Sequence, residues 1–247
     1  MTCGDPAAAS PAAGLLQSQP EVVQVRLARQ SHAPLARELR LFHIAPMTAS
    51  SSPRETGHAI DPLFTRRWSP RAFTGEAIDP ATLQSFFEAA RWAPSAFNAQ
   101  PWRFVFARRD TEAWAPIFEA LLPFNQAWAT RASALVVVLS RTVWLPPGKT
   151  ELAPVVSHSF DAGAAWASLA FQATLSGWHV HGVGGFDRDL MRSNLGVPAD
   201  YTLEAVIAIG RQGDKSVLSE SLQAREVPSQ RRPLAELVAE GHFAFDA

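Results

Sequence analysis

Arg66-Arg67-Trp68-Ser69-Pro70-Arg71-Ala72-Phe73 and, further on, Ala93-Pro94-Ser95-Ala96-Phe97-Asn98-Ala99-Gln100-Pro101-Trp102 decide the reading of this chain. The first stretch gathers three arginines and a serine within six residues. The second sets Ser, Asn and Gln on a proline-bounded loop among aromatic residues. Arginine binds phosphate as a charged fork. Side-chain amides match the donor and acceptor edge of a flat heterocycle. Taken singly, each stretch also reads as a solvated charged face or an ordinary turn. Taken together, they suit a phosphorylated, planar, hydrogen-bonding ligand.

The elements around these stretches alternate between helical and extended periods. Asp79-Pro80 is a helix start, with Asp as N-cap and Pro at the first helical position. Leu83, Phe86, Phe87 and Ala90 follow at helical spacing, which predicts an amphipathic helix over Pro80–Trp92, closed by Pro94. Trp102–Ala107 alternates with strand period, and Leu135–Ser140 is a short apolar run expected as a buried strand. Thr111–Leu122 reads as a helix interrupted by Pro116, and His158–Ser176 as the longest helix. That helix is apolar on most faces, so it is expected centrally or at a subunit contact. Trp178–Val183 and Leu203–Ile209 are expected strands, and Asp187 caps a helix running to Leu195. A short helix over Leu234–Ala239 closes a polar, proline-broken tail.

The composition bounds the function. With 47% hydrophobic and 18% charged residues, 247 residues can build a substantial core. Lys and Arg total 22 against 23 Asp and Glu, a net charge of −1. That balance argues against general nucleic-acid binding, which needs a basic excess. No apolar run is long enough for a membrane span. Cys3 is the single cysteine, without a pairing or ligand-spaced partner, so a reducing cytoplasm is expected. His179 and His181 fall on one strand face, one ligand pair at best, with no acidic or cysteine partner at a recognisable spacing. No metal is expected.

Residues 1–56 differ in character, mixing Ala, Pro, Ser and Gly with isolated apolar clusters. They are expected as a poorly ordered extension with one helix over Pro34–Phe42 and a Ser-rich linker over Thr48–Pro53. A functional start at Met47 is the alternative, and native N-terminal analysis finding Met1 would remove it. Residues 57–247 are the expected ligand-binding domain.

In this order, Arg67, Ser69, Arg71 and Phe73, then Ala89-Ala90-Arg91-Trp92-Ala93-Pro94-Ser95, then Asn98-Ala99-Gln100-Pro101-Trp102 resemble the nitroreductase superfamily of FMN-dependent oxidoreductases. The resemblance continues through Gly184-Gly185-Phe186-Asp187 and Ala208-Ile209-Gly210 to Arg231-Arg232-Pro233-Leu234. It implies an α+β fold, a three-layer α-β-α sandwich around a central mixed sheet, paired as a homodimer. It also implies bound FMN, NADH or NADPH as co-substrate, and a small electron acceptor such as a nitroaromatic or quinone. Hydride would pass to flavin N5 and on to the acceptor in ping-pong fashion, with no catalytic side chain.

The resemblance assigns roles residue by residue. Arg67 and Ser69 would hold the phosphate, with Arg231 closing from the C-terminal side and Trp68 beside the site. Arg71 would face the ribityl chain and pyrimidine ring, stabilising charge that develops on reduction. Asn98 offers a donor and an acceptor to the pyrimidine edge, while Gln100 reads equally as a loop-capping amide. Pro94 and Ser95 complete that loop. Gly184 and Gly185 would bring backbone amides close to N5 or O4. Ala96 and Ala99 stand where relatives often carry polar residues, which reduces polar contacts but leaves the charged anchors. A flavin-binding sensor or storage module, or flavin-dependent dehalogenation or azoline oxidation, are the alternative readings.

Overall fold

In the computed structural model, which describes residues 54–245, helices and strands follow the expected order closely. Helices α1 (Pro62–Arg66) and α2 (Pro80–Arg91) precede strand β1 (Trp102–Arg108). Helices α3 (Trp114–Phe118) and α4 (Pro123–Ala129) lead into β2 (Ala134–Arg141) and a small hairpin of β3 (Val143–Trp144) and β4 (Ala153–Pro154). Helix α5 (His158–Leu175), β5 (His179–Val183), α6 (Arg188–Leu195), β6 (Tyr201–Gly210) and α7 (Glu220–Gln223) complete the fold. The expected extension over 1–56, including the Pro34–Phe42 helix, lies outside the described residues except for 54–56. No described helix is long and apolar enough to cross a membrane.

The local signals act as their chemistry dictates. Asp79 accepts the Thr82 N–H at 2.9 Å and Pro80 sits in the first helical turn, so α2 begins where its cap requires. Asp187 accepts from Leu190 N–H, and α6 closes on Gly196 in the left-handed region at φ 60°.

The sheet runs β1-β2-β6-β5. Every pairing in it is antiparallel, which corrects the expected mixed sheet. The physical reason lies in β2, whose residues Ala134–Ser140 are all buried. Helices cover both faces, so its unbroken apolar run reports burial and carries no information on strand direction. Leu135, Val137 and Leu139 enter one core with Ile117, Leu121, Trp128 and Met191. Ala134, Val136 and Val138 enter the other with Leu83, Phe86, Ala165 and Leu169. This period-two division makes the three layers: α2 and α5, the sheet, then α3, α4 and α6.

Two expectations fail locally. The Thr111–Leu122 helix contracts to Trp114–Phe118, with Pro116 unable to donate within it. The Leu234–Ala239 helix contracts to a 3-10 turn over Leu234–Glu236. Leu234, Leu237 and Val238 are exposed there, so no apolar burial offsets the entropy of ordering a longer helix. Helices α1, α4 and α7 were not expected.

Candidate functional site

The arginine stretch leaves α1 as extended chain and is pinned to the sheet by a phenylalanine. Phe73 is fully buried and pairs as an isolated antiparallel bridge with Gln212, just beyond β6. Thr74 N–H donates to Arg211 O at 3.0 Å, and Gly213 N–H donates to Ala72 O at 2.7 Å. From the other side, Glu226 Oε1 accepts the N–H groups of Arg71 at 2.6 Å and Ala72 at 2.8 Å. Arg54 Nη1 donates to Arg67 O at 2.9 Å. The backbone carrying Arg67, Ser69 and Arg71 is therefore fixed by groups far apart in sequence.

These side chains surround a cavity of 280 Å³ lined by Arg54, Arg67, Trp68, Ser69, Arg71, His181, Arg225, Val227, Ser229 and Arg231. Five of those residues are arginines. Arg67 Nη1 donates to Ser69 Oγ at 3.4 Å, and Glu226 Oε2 lies 3.8 Å from Arg71 Nη1. Burial, then the charge of Arg231, holds the Arg67 guanidinium below the usual arginine range. Burial, Arg231 and Arg67 act likewise on Arg54. Burial lowers Arg71 too, with Glu226 opposing and Arg225 reinforcing that shift. Arginine does not give up its proton under these conditions. The cluster therefore carries mutual repulsion that a bound dianion would offset. Arg71 Nε is buried with no hydrogen-bond partner among the described residues, a donor prepared for a ligand.

His181 lines the same cavity from β5 and packs on Trp128 with ring centroids 4.6 Å apart. Its Nδ1 lies 3.1 Å from Pro70 O, so that nitrogen donates and Nε2 is left as the acceptor. Burial pushes its proton affinity down, so the ring is a neutral wall among cations.

Of the expected site residues, Arg67, Trp68, Ser69, Arg71 and Arg231 are thus brought together. Pro94, Ser95, Asn98 and Gln100 are not in this cavity. Their loop turns through left-handed backbone at Phe97 (φ 52°), Asn98 (φ 53°) and Gln100 (φ 46°), a concentration of strain typical of functional loops. Ser95 Oγ accepts Gln100 N–H at 3.1 Å, and Gln100 Nε2 donates to Asn98 O at 3.2 Å. Asp161, buried in the first turn of α5, accepts Ala96 N–H at 3.2 Å and Ser157 Oγ–H at 2.9 Å. Near the opposite end of α5, Phe171 meets Phe64 of α1 at 5.0 Å. At 1.5 Å per residue, Asp161 and Phe171 are about 15 Å apart along the helix. Loop and arginine stretch therefore occupy different ends of α5.

Gly184 and Gly185 follow β5, with Gly184 about 10 Å along the chain from His181. Gly185 O accepts from Leu122 N–H at 3.1 Å and Asn125 Nδ2 at 2.9 Å. Among the described residues, the amides of Gly184 and Gly185 donate to no backbone carbonyl. A Cβ on Gly184 would meet nothing within 4 Å. The space beside Gly184 is open, whereas Asn125 and Leu122 crowd Gly185.

Sequence reasoning missed Arg54, His181, Arg225 and Glu226. Arg54 falls in the stretch read as an extension, and His181 was weighed only as a metal ligand. Arg225 and Glu226 sit in an irregular tail, and Glu226 meets its partners across 154 and 155 positions. No local pattern reports such a contact.

The Nitroreductase family profile matches residues 64–211, more than half of the chain. A Thermus thermophilus protein named NADH dehydrogenase is 26% identical over 200 residues, spanning 70% of this chain and 91% of its own. A shorter match, 32% identical over 79 residues, covers 32% of this chain and 40% of a Rhodopseudomonas palustris protein whose name pairs NADH dehydrogenase with NAD(P)H nitroreductase. A crystal structure described as an oxidoreductase containing FMN is 47% identical with a TM-score of 0.77, covering 79% of this chain and 98% of that one. On this family match the chain belongs to the nitroreductase family.

Proposed function

We propose that this chain binds FMN and works as an NAD(P)H-dependent oxidoreductase on a small acceptor such as a nitroaromatic or quinone. The observation that carries the reading is the cavity where five arginines meet one buried carboxylate. Such a charge surplus fits the phosphate of FMN, and the cavity's serine hydroxyls fit its remaining oxygens. When bound, FMN supplies two-electron chemistry at N5.

The chain's own residues bind and orient. Arg67, Ser69 and Arg231 hold the phosphate, while Arg71 lies against Glu226 where cavity and sheet meet. His181 stays neutral and gives the ligand an apolar ring face with one acceptor. The backbone amides of Gly184 and Gly185 would serve the N5 and O4 edge, and glycine at 184 leaves open space for a ring there. No residue need act as general acid or base.

The proposal includes a homodimer, a cytoplasmic location and a division of the chain near residue 56. Phe160 is 83% exposed on α5, Val156 just before it is 94% exposed, and Phe97 is 88% exposed on the loop. A second copy covers these groups best. A two-fold axis perpendicular to α5 exchanges the ends of that helix between copies. It would carry Pro94, Ser95, Asn98 and Gln100 of one protomer toward the arginine cavity of its partner.

Anaerobic addition of NADH or NADPH to FMN-loaded protein tests the activity. Bleaching, followed by recovery of colour on adding menadione or a nitrofuran, is expected. Flavin that neither nicotinamide bleaches would favour a binding module instead.

A further inference from the structure

Glu226 is the one buried residue in the stretch from Arg225 to Arg232, where Arg225, Val227 and Ser229 through Arg232 are exposed. Its side chain is 3% exposed and lies within a group of arginines. A carboxylate beside a proposed phosphate repels that phosphate, so its placement needs a positive reason. Both amide contacts run to Arg71 and Ala72, the end of the arginine stretch, and both are short and charge-assisted. Arg225 precedes Glu226 directly, and Arg231 follows five positions later. Both line the cavity with Arg67 and Arg71. Glu226 therefore joins two stretches of the cavity wall that lie about 155 positions apart in sequence.

We propose that Glu226 is a positioning residue, a latch that holds the C-terminal segment 225–231 against the arginine stretch and so makes the site selective for phosphorylated over unphosphorylated flavin. The inference rests on the FMN reading above. Arg225 and Arg231 bear on the anion only while the latch is closed, so opening it removes phosphate contacts and spares contacts to the ring. Glu226 Oε2 makes no hydrogen bond among the described residues, and Oε1 receives both amides. The amide oxygen of glutamine can replace Oε1 in that role.

The test compares FMN and riboflavin binding by flavin fluorescence in wild-type protein, Glu226→Ala and Glu226→Gln. For Glu226→Ala the FMN dissociation constant should rise at least about tenfold, the scale of lost charge-assisted hydrogen bonds, with riboflavin changed less than about threefold. Glu226→Gln keeps the acceptor and loses its charge, so its FMN affinity should fall clearly less than that of Glu226→Ala, with riboflavin within about threefold of wild type. Equal losses for FMN and riboflavin would make Glu226 a general fold residue and overturn the latch. So would a Glu226→Gln variant as weak as Glu226→Ala, or an Ala variant that binds like wild type. Should Glu226→Ala fail to fold, hydrogen exchange on wild-type protein decides. FMN should slow the amides of 71–72 and 225–231 together, and protection confined to the arginine stretch would overturn the proposal. Wild-type protein that binds no FMN at all would instead fail the underlying reading.

Discussion

The ring of Phe73 lies against Gly210 with no room for a methyl group between them. A Cβ on Gly210 would stand 2.5 Å from Phe73 Cδ1, 2.7 Å from Cγ and 3.1 Å from Cβ. Phe73 is fully buried, so the ring cannot swing away. Overpacking of this kind costs about 1–3 kcal/mol. Gly210→Ala should lower the unfolding free energy by that amount in urea denaturation. It should also weaken FMN binding, because Arg71 lies two residues from the displaced ring. An unchanged denaturation midpoint would contradict this account of how the arginine stretch is anchored.

The role of Arg67 separates phosphate from ring. Loss of a charge-assisted contact worth about 1.5–3 kcal/mol raises a dissociation constant roughly 10- to 100-fold. Arg67→Ala should show that loss for FMN, while riboflavin, which lacks the phosphate, should change less than about threefold. Fluorescence titration with both flavins checks it. A parallel loss for riboflavin would remove Arg67 from the phosphate.

The glycine pair offers a contrast. A Cβ at Gly184 would meet nothing within 4 Å beyond its chain neighbours, whereas at Gly185 it would fall 2.6 Å from Asn125 Nδ2. Gly184→Val should leave stability within about 0.5 kcal/mol of wild type. It should nonetheless reduce FMN binding or nicotinamide oxidation, since the new side chain enters the ligand's space. Gly185→Ala should lower stability by disturbing the Asn125 contact. A Gly184→Val protein with full flavin content and turnover would show that the flavin lies elsewhere.

Acid should weaken the fold through His179. Burial, then the charges of Arg211 and Arg67, pushes its pKa down to about 4. An unfolded histidine titrates near about 6.5, so between these values the unfolded chain binds the extra proton. Stability is therefore complete above the unfolded value and is lost as pH falls from about 6.5 toward about 4. Between pH 7 and pH 5 the loss from this group is about 2 kcal/mol. His181 is shifted in the same direction. Urea denaturation at both pH values, with His179→Gln beside wild type, checks the sign. The variant should lose less on acidification, and an equal loss would assign the acid limb to other groups.

Much of this was legible in the sequence because the determinants are local. Asp79-Pro80 and Asp187 start helices through their own side chains, and β1, β2, β5 and β6 follow from short-range apolar pattern. Arg67, Ser69, Arg71 and Arg231, singled out from the sequence, line one cavity. What was illegible depends on distant contacts or on direction. Strand polarity around β2, which is buried on both faces, leaves no trace in composition. The left-handed turn at Phe97 runs against the preference of a bulky residue, and contacts from Ser95, Asp161 and Trp144 flank it. Arg54 and Arg225 reach the cavity through tertiary contacts, and Glu226 explains the placement of Arg225 only once the tail is seen folded back.

FMN held by its phosphate in the arginine cavity should survive removal of free flavin. Full-length protein incubated with excess FMN, passed over a sizing column and examined by visible absorbance should keep a flavin spectrum, and the same treatment with riboflavin should leave far less bound. Protein that emerges colourless from FMN, or that retains riboflavin equally well, would contradict this hold on the phosphate.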